Sequence, residues 1–175
     1  MTSMPEPEPD IKLRPATAAD QGFLMAVFGS TREHELAALG DSPLIESFIS
    51  MQFKAQQQSY REAHAEAEDS IVLLDHNPIG RILVKRSGEA IRLVNIALLT
   101  EFRGRGIGSI LLRRLLEEGA AAGKPVVLSV SKLNPAMRLY ERFGFFKVAE
   151  DGLYVQMQWS DFPDRRTGAQ PSRLH

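Results

Sequence analysis

The sequence predicts an α+β domain whose helices flank a mixed, mostly antiparallel sheet, and three observations carry that prediction. Helical and strand patterns alternate from residue 11 to residue 159, with no internal repeat and no linker long enough to separate domains. Three strand patterns follow one another with only turns between them, which marks an antiparallel meander. The third strand runs directly into a glycine-rich turn and an apolar helix, the architecture of a phosphate site. At 175 residues the chain suits one domain with a core of its own.

The elements follow in order. A short strand at Ile11 to Arg14 leads into Thr17-Ala-Ala-Asp20, a capping-box pattern in which threonine and acid each satisfy a backbone N–H, and a helix is expected over about Ala18 to Gly29. A second helix is expected from Ser42-Pro43, with serine as N-cap and proline at the first helical position, where its missing N–H costs nothing. Leu44, Phe48, Met51 and Ala55 recur along it at helical spacing, so that face is expected on the core. Strands follow at Ile71 to Leu74, Ile79 to Val84 and Ile91 to Leu98, with turns at Asp75-His-Asn-Pro78 and near Ser87-Gly88. The segment Glu101 to Ser109 opens a helix carrying Ile110, Leu111, Leu112, Leu115 and Leu116, closed by Gly119 to Gly123. A buried strand at Val126 to Val130, a helix from Asn134-Pro135 to Gly144, and strands at Phe145 to Ala149 and Leu153 to Trp159 complete a single domain over residues 11–159. Residues 1–10, with three prolines and three acids, read as a solvated, extended leader, and residues 160–175 as a polar, flexible tail.

Composition excludes several classes. With no cysteine, disulfide scaffolds and cysteine-ligated metal sites are out. His34, His64, His76 and His175 are scattered without metal spacing or a nucleophile to serve, so no metal is expected. Lys and Arg number 21 against 22 Asp and Glu, a net charge of −1, which gives the whole molecule no pull toward nucleic acid or anionic lipid. No run approaches the ~18 apolar residues of a membrane span, and Met1 to Asp10 lacks the basic and apolar regions of a signal peptide, so a soluble, cytoplasmic protein is expected.

The loop Arg103-Gly104-Arg105-Gly106-Ile107-Gly108-Ser109 carries the chemistry. Its glycines let the backbone bend tightly and approach a ligand, while the first turn of the next helix points N–H groups outward, a shape made for an oxyanion. It is not a P-loop, since no lysine follows a G-x-x-x-x-G frame, and a dinucleotide fingerprint fails because its third glycine comes one residue early. Helix starts favour acids, yet Arg103, Arg105, Arg113 and Arg114 gather where the helix dipole is already positive, a conflict that a bound polyanion resolves. A plain strand-to-helix turn solvated by its arginines is the competing reading. RNA-binding Arg-Gly segments are longer and disordered, whereas this one is followed by a strongly apolar helix.

With what lies about thirty residues downstream, the loop resembles the acetyl-CoA site of the GNAT superfamily of N-acetyltransferases. The family's Arg/Gln-x-x-Gly-x-Gly/Ala pattern stands here as Arg103-x-x-Gly106-x-Gly108, and Asn134-Pro-Ala136-x-x-Leu139-Tyr140-x-x-Phe143-Gly144-Phe145 looks like its second motif. The resemblance covers residues 91–159 well and residues 11–29 loosely. It implies a GNAT-like sheet splayed at the cofactor-binding strand, with the backbone of Ile96 and Leu98 paired to the pantetheine arm of acetyl-CoA. It further implies that amides from Arg103, Gly104, Arg105, Gly106, Ile107, Gly108 and Ser109 hold the pyrophosphate, that Asn134 contacts the pantetheine side, and that Tyr140 sits near the sulfur as catalytic acid. Asn134 before Pro135 is also an N-cap in its own right, Tyr140 also fits a core aromatic with its hydroxyl at the surface, and Gly144 is explained as a helix C-cap.

The reaction so implied is direct attack of a neutral primary amine, on a small molecule or a peptide N-terminus, on the acetyl thioester, without a covalent enzyme intermediate. An alkyl ammonium titrates near ~10.4 and an α-amino group near ~8, so a proton must leave before attack. The N–H of Leu98 is the candidate oxyanion donor. Relatives that acetylate ribosomal-protein N-termini resemble this chain around Asn95-Ile96-Ala97 but carry glutamate where Ser129 stands, and serine cannot be that base. Glu33, Glu35 and Glu46 are the alternative carboxylates, each equally readable as part of a solvated helix face. A second function class stays open beside the enzyme, an acetyl-CoA-binding regulatory module of the same fold without turnover. Acceptor and oligomeric state, monomer or homodimer, carry no motif.

Overall fold

The computed structural model describes residues 7–161; the rest of the expected leader and tail, His175 included, lies outside the described residues. Two compact units are present, one of residues 7–86 with Leu93–Leu111, the other of Ser87–Arg92 with residues 112–161. Mixed α/β architecture with seven strands, antiparallel in every pairing described below, meets the expected fold class.

In the first unit β1 (Ile11–Pro15) pairs antiparallel with β2 (Glu68–Leu74), which pairs antiparallel with β3 (Asn77–Arg86), and β4 (Ile91–Leu98), in this unit from Leu93 onward, comes next in the sheet. The β2–β3 turn is tighter than expected. Asp75 and His76 alone make it, at φ 48° and 70°, with Leu74 opposite Asn77, the two-residue turn whose twist suits a hairpin. Further along, the register shifts between Val72 and Leu73, a β-bulge that leaves Gly80 opposite Val72 and Pro78 opposite Leu73. Against these strands pack α1 (Gln21–Ser30), entered through a 3₁₀ turn at Ala18–Asp20, and α3 (Ile45–Ala63); a short α2 (Glu33–Ala37) lies between them in sequence. Leu24, Phe28, Phe53 and Ile71 form the core of this unit, with the Phe28 and Phe53 rings 5.8 Å apart.

One expectation is corrected here. The stripe Leu44, Phe48, Met51 and Ala55 faces solvent, Leu44 at 72% and Met51 at 61% exposure, and α3 is buried instead along Phe53 and Gln57, with Ile49 packed on the core. Two stripes with helical spacing compete on this helix. The apolar one lost because the other carries Phe53 to its place beside Phe28 and Gln57 to a buried cation.

In the second unit β5 (Val126–Ser131), β7 (Tyr154–Trp159) and β6 (Phe146–Glu150) lie in that order, antiparallel throughout, and α5 (Met137–Arg142) precedes β6. The helix α4 (Ile107–Ala122) begins in the first unit and ends in this one, burying Ile107, Leu111, Leu112, Leu115 and Leu116. It runs through Gly119, where a β-carbon would stand 2.9 Å from Val126 Cγ2, and stops at Gly123, whose φ of 65° a helix cannot continue. Gly144, at φ 92°, ends the turn after α5.

Candidate functional site

The strand β4 changes character along its length. Ile91 and Leu93 are buried, but every residue from Val94 to Leu99 is only half-buried, although five of those six are apolar. Ile96 and Leu98 lie in that half. The neighbouring strand grips it closely: the Leu99 N–H donates to the Ile79 carbonyl at 2.9 Å, and a β-carbon on Gly80 would run into the Ala97 carbonyl oxygen. The Leu98 carbonyl accepts from Arg103 Nε at 3.0 Å.

Arg103 thereby turns back on its own strand, and its Nη2 also donates to Ser30 Oγ at 3.0 Å, at the end of α1. The Arg105 guanidinium lies over the Phe102 ring, 5.5 Å from its centroid. With both side chains engaged, the loop offers its backbone. Gly104 and Gly106 take φ 69° and 79°, conformations costly for any other residue, and nothing lies within 4 Å of where a β-carbon would sit, so the loop face is open. The Ile110 N–H donates to the Gly106 carbonyl at 3.1 Å, leaving the amides of Ile107, Gly108 and Ser109 ahead of the first intrahelical bond. No acid stands in the first turn of α4. An open, glycine-shaped cradle at a helix start free of acids fits a diphosphate.

The first unit thus brings together Ile96, Leu98 and Arg103 to Ser109, while Asn134 and Tyr140 belong to the second. Asn134 Oδ1 accepts from the Ala136 N–H at 2.9 Å and its carbonyl accepts from the Met137 N–H at 3.2 Å, so Asn134 closes a turn before α5, whose N-cap is Ala136 and not the expected Asn134. Tyr140 is 7% exposed, edge-on to Phe145 at 5.7 Å, and burial pushes its phenol up to about 12. No buried side-chain polar atom among the described residues lacks a partner, and the Tyr140 hydroxyl bonds to none, so it reaches the surface. Ser129 Oγ accepts from Gln156 Nε2 at 3.0 Å across β5 and β7. Of the alternative carboxylates, Glu33 accepts from Thr100 Oγ1 at 2.8 Å, Glu35 pairs with Arg32 at 3.1 Å, and Glu46 lines a shallow depression of about 480 Å³ with Ser47, Ser50, Met51 and Lys54. No three His, Asp or Glu side chains among the described residues gather as a metal site.

A polar network that sequence reasoning missed lies behind β4. Arg81 of β3 is 5% exposed; its Nε and Nη2 donate to the two Asp69 carboxylate oxygens at 2.8 Å each, and its Nη1 donates to Gln57 Oε1 at 2.8 Å. The guanidinium also lies over the Tyr60 ring at 5.4 Å, and Tyr60 Oη accepts from Asn95 Nδ2 at 3.0 Å. The signal was present: one cation inside the apolar run Ile79 to Val84 has to find partners if the strand is buried.

Strand, glycine-opened helix start and mixed α/β sheet together make a scaffold suited to a diphosphate-bearing ligand. The chain belongs to the acetyltransferase (GNAT) family, whose pattern matches residues 36–145. No curated protein matches the sequence. Among solved structures it is similar to the PaiA N-acetyltransferase of Thermoplasma acidophilum in complex with coenzyme A, with TM-score 0.65 and 20% identity over 86% of this chain and 99% of that one. An acetyltransferase of Thermus thermophilus gives 0.63 at 21% identity, covering 86% and 96%. A GNAT family acetyltransferase of Elizabethkingia anophelis with acetyl-CoA bound gives 0.57 at 15%, covering 86% and 98%. At these identities the likeness is one of fold.

Proposed function

We propose that residues 11–159 work as one acetyltransferase domain that moves the acetyl group of acetyl-CoA to a primary amine, on a small molecule or a peptide N-terminus, in a ternary complex. The observation that carries this reading is the open cradle of Gly104 and Gly106 at the acid-free start of α4, directly after the half-buried end of β4. There the amides from Arg103 to Ser109 hold the pyrophosphate, the backbone of Ile96 and Leu98 aligns the pantetheine arm, and Asn134 keeps its amide nitrogen for the same arm while its oxygen closes the turn before α5. Attack by the neutral amine forms the C–N bond and puts charge on the carbonyl oxygen, which the Leu98 N–H stabilises. The C–S bond then breaks, and Tyr140, protonated throughout the physiological range, gives the leaving sulfur a hydrogen bond. The ammonium proton leaves through water.

The paired state of Ser129 with Gln156, where relatives carry a glutamate base, favours one second reading, a module that binds acetyl-CoA without turnover. One experiment separates the two. Acetyl-CoA at a hundred times its Kd should stabilise the protein by about 2.7 kcal/mol and raise Tm by roughly 5–10 °C, and a panel of amines and peptides should release free CoA thiol. A thermal shift without thiol release from any acceptor selects the binding module; no shift at millimolar acetyl-CoA overturns both.

A further inference from the structure

Burying the Arg81 charge does not by itself explain why it is there. A buried ion pair is often no more stabilising than apolar residues of the same volume, and β3 around it, with Ile79, Ile82, Leu83 and Val84 all buried, has ample apolar packing. What an apolar side chain could not do is orient its neighbours. The guanidinium is held in three directions, by both Asp69 oxygens and by Gln57, and presents its face to the Tyr60 ring. Tyr60 Oη then meets Asn95 Nδ2 at 3.0 Å. The contacts run from β2 and β3 through α3 and end on β4 one residue before Ile96, where the strand has lost the packing that holds its first half.

We propose that Arg81 is a positioning residue for the cofactor edge of β4. Through Tyr60 it fixes the Asn95 side chain, and with it the register of the Ile96 to Leu98 backbone. Gly80, the residue before it, presses the same stretch of β4 from the β3 side. This rests on the reading that the β4 backbone aligns acetyl-CoA.

The test measures the acetyl-CoA Kd by titration calorimetry, and Tm alongside, for wild type, Tyr60→Phe, Asn95→Ala, their double variant and Arg81→Met. Ile11→Ala, a truncation of a buried side chain on β1 outside the network, is the control for general loosening. Tyr60→Phe removes one hydroxyl and should weaken acetyl-CoA binding about fivefold, and Asn95→Ala should do the same. The double variant should be no weaker than either single, because both break one link. Arg81→Met should reproduce the loss, and Ile11→Ala should lower Tm at unchanged Kd. Unchanged Kd in Tyr60→Phe and Asn95→Ala, losses that multiply in the double variant, or an equal loss in Ile11→Ala would each overturn the inference while wild type still binds. If wild type fails to bind acetyl-CoA, the functional reading falls and takes this inference with it.

Discussion

A phenol in water ionises near pH ~10, and the burial that sets Tyr140 against Phe145 moves it to about 12, since a low-dielectric surrounding disfavours the anion. That shift limits what the residue can do. A CoA thiol titrates near ~8.5, so complete transfer of the Tyr140 proton to a thiolate is uphill by about 3.5 pKa units, on the order of 5 kcal/mol. In the proposed role, hydrogen bonding to the sulfur as its charge develops is the accessible contribution, and the proton on the product thiol comes by way of water. Tyr140→Phe should therefore lower kcat by about a hundredfold with the acetyl-CoA Kd little changed. Because Tyr140 stays protonated well above pH 10, its removal should leave the shape of the pH–rate profile between pH 6 and 10 as it was and lower only its height. An alkaline limb that vanishes in the variant would assign Tyr140 as a titrating group and overturn this role.

At the scale of elements, β3 decides where the end of β4 can lie. A β-carbon on Gly80 would meet the Ala97 carbonyl oxygen and stand 2.6 Å from Leu98 Cδ2, so Gly80→Ala has to push β4 outward. Overpacking of this kind costs about 1–3 kcal/mol, and a displacement near 1 Å at aligned reacting groups costs about a hundredfold in rate; kcat/KM should fall by that order. Gly22→Ala is the contrast. Nothing lies within 4 Å of its β-carbon position in α1, so alanine there should stabilise by up to about 1 kcal/mol and leave turnover alone. Equal activity in the two variants would show that the β3–β4 approach does not position the reaction. The same strands explain what could be read from sequence. The limits of β4 and the glycine-arginine loop were legible because an apolar run, clustered glycines and cations each have one simple physical meaning. The buried face of α3 was not, because its stripe includes Gln57 and Tyr60, polar residues whose reason for burial is Arg81, two elements away. Periodicity reports apolar faces, and a face completed by a distant charge looks like solvent. The turn expected over Asp75-His-Asn-Pro78 proved two residues shorter for a different reason, since Asp75 and His76 both adopt positive φ without glycine.

Over the whole chain a net charge of −1 is an average, not a description. Arg103 to Arg114 holds four cations and no acid, while carboxylates elsewhere are kept ionised by local partners. Lys147 and then Lys132 lower Glu150, the backbone N–H groups of Leu153 and Tyr154 lower Asp151, and Asp20 is held furthest below the usual carboxylate range. Its first cause is the Arg14 guanidinium, which donates to both oxygens at 2.8 and 2.7 Å; the Thr17 N–H at 2.8 Å comes next, so one carboxylate ties the end of β1 to the entry of α1. A carboxylate whose folded pKa is depressed stabilises the fold fully above its unfolded value of ~3.9 and loses that contribution as pH falls toward the folded value, because below ~3.9 only the unfolded chain takes up the proton. Asp20→Asn keeps the shape but turns an N–H₂ toward Arg14 and has nothing to titrate. Its Tm should lie below that of wild type by a constant margin from pH 5 to 8, and the margin should narrow progressively below pH 4. Melting curves of the two proteins across pH 3–8 check this. A margin that stays the same down to pH 3 would mean that the Asp20 charge does not stabilise the fold and that the variant loses only packing.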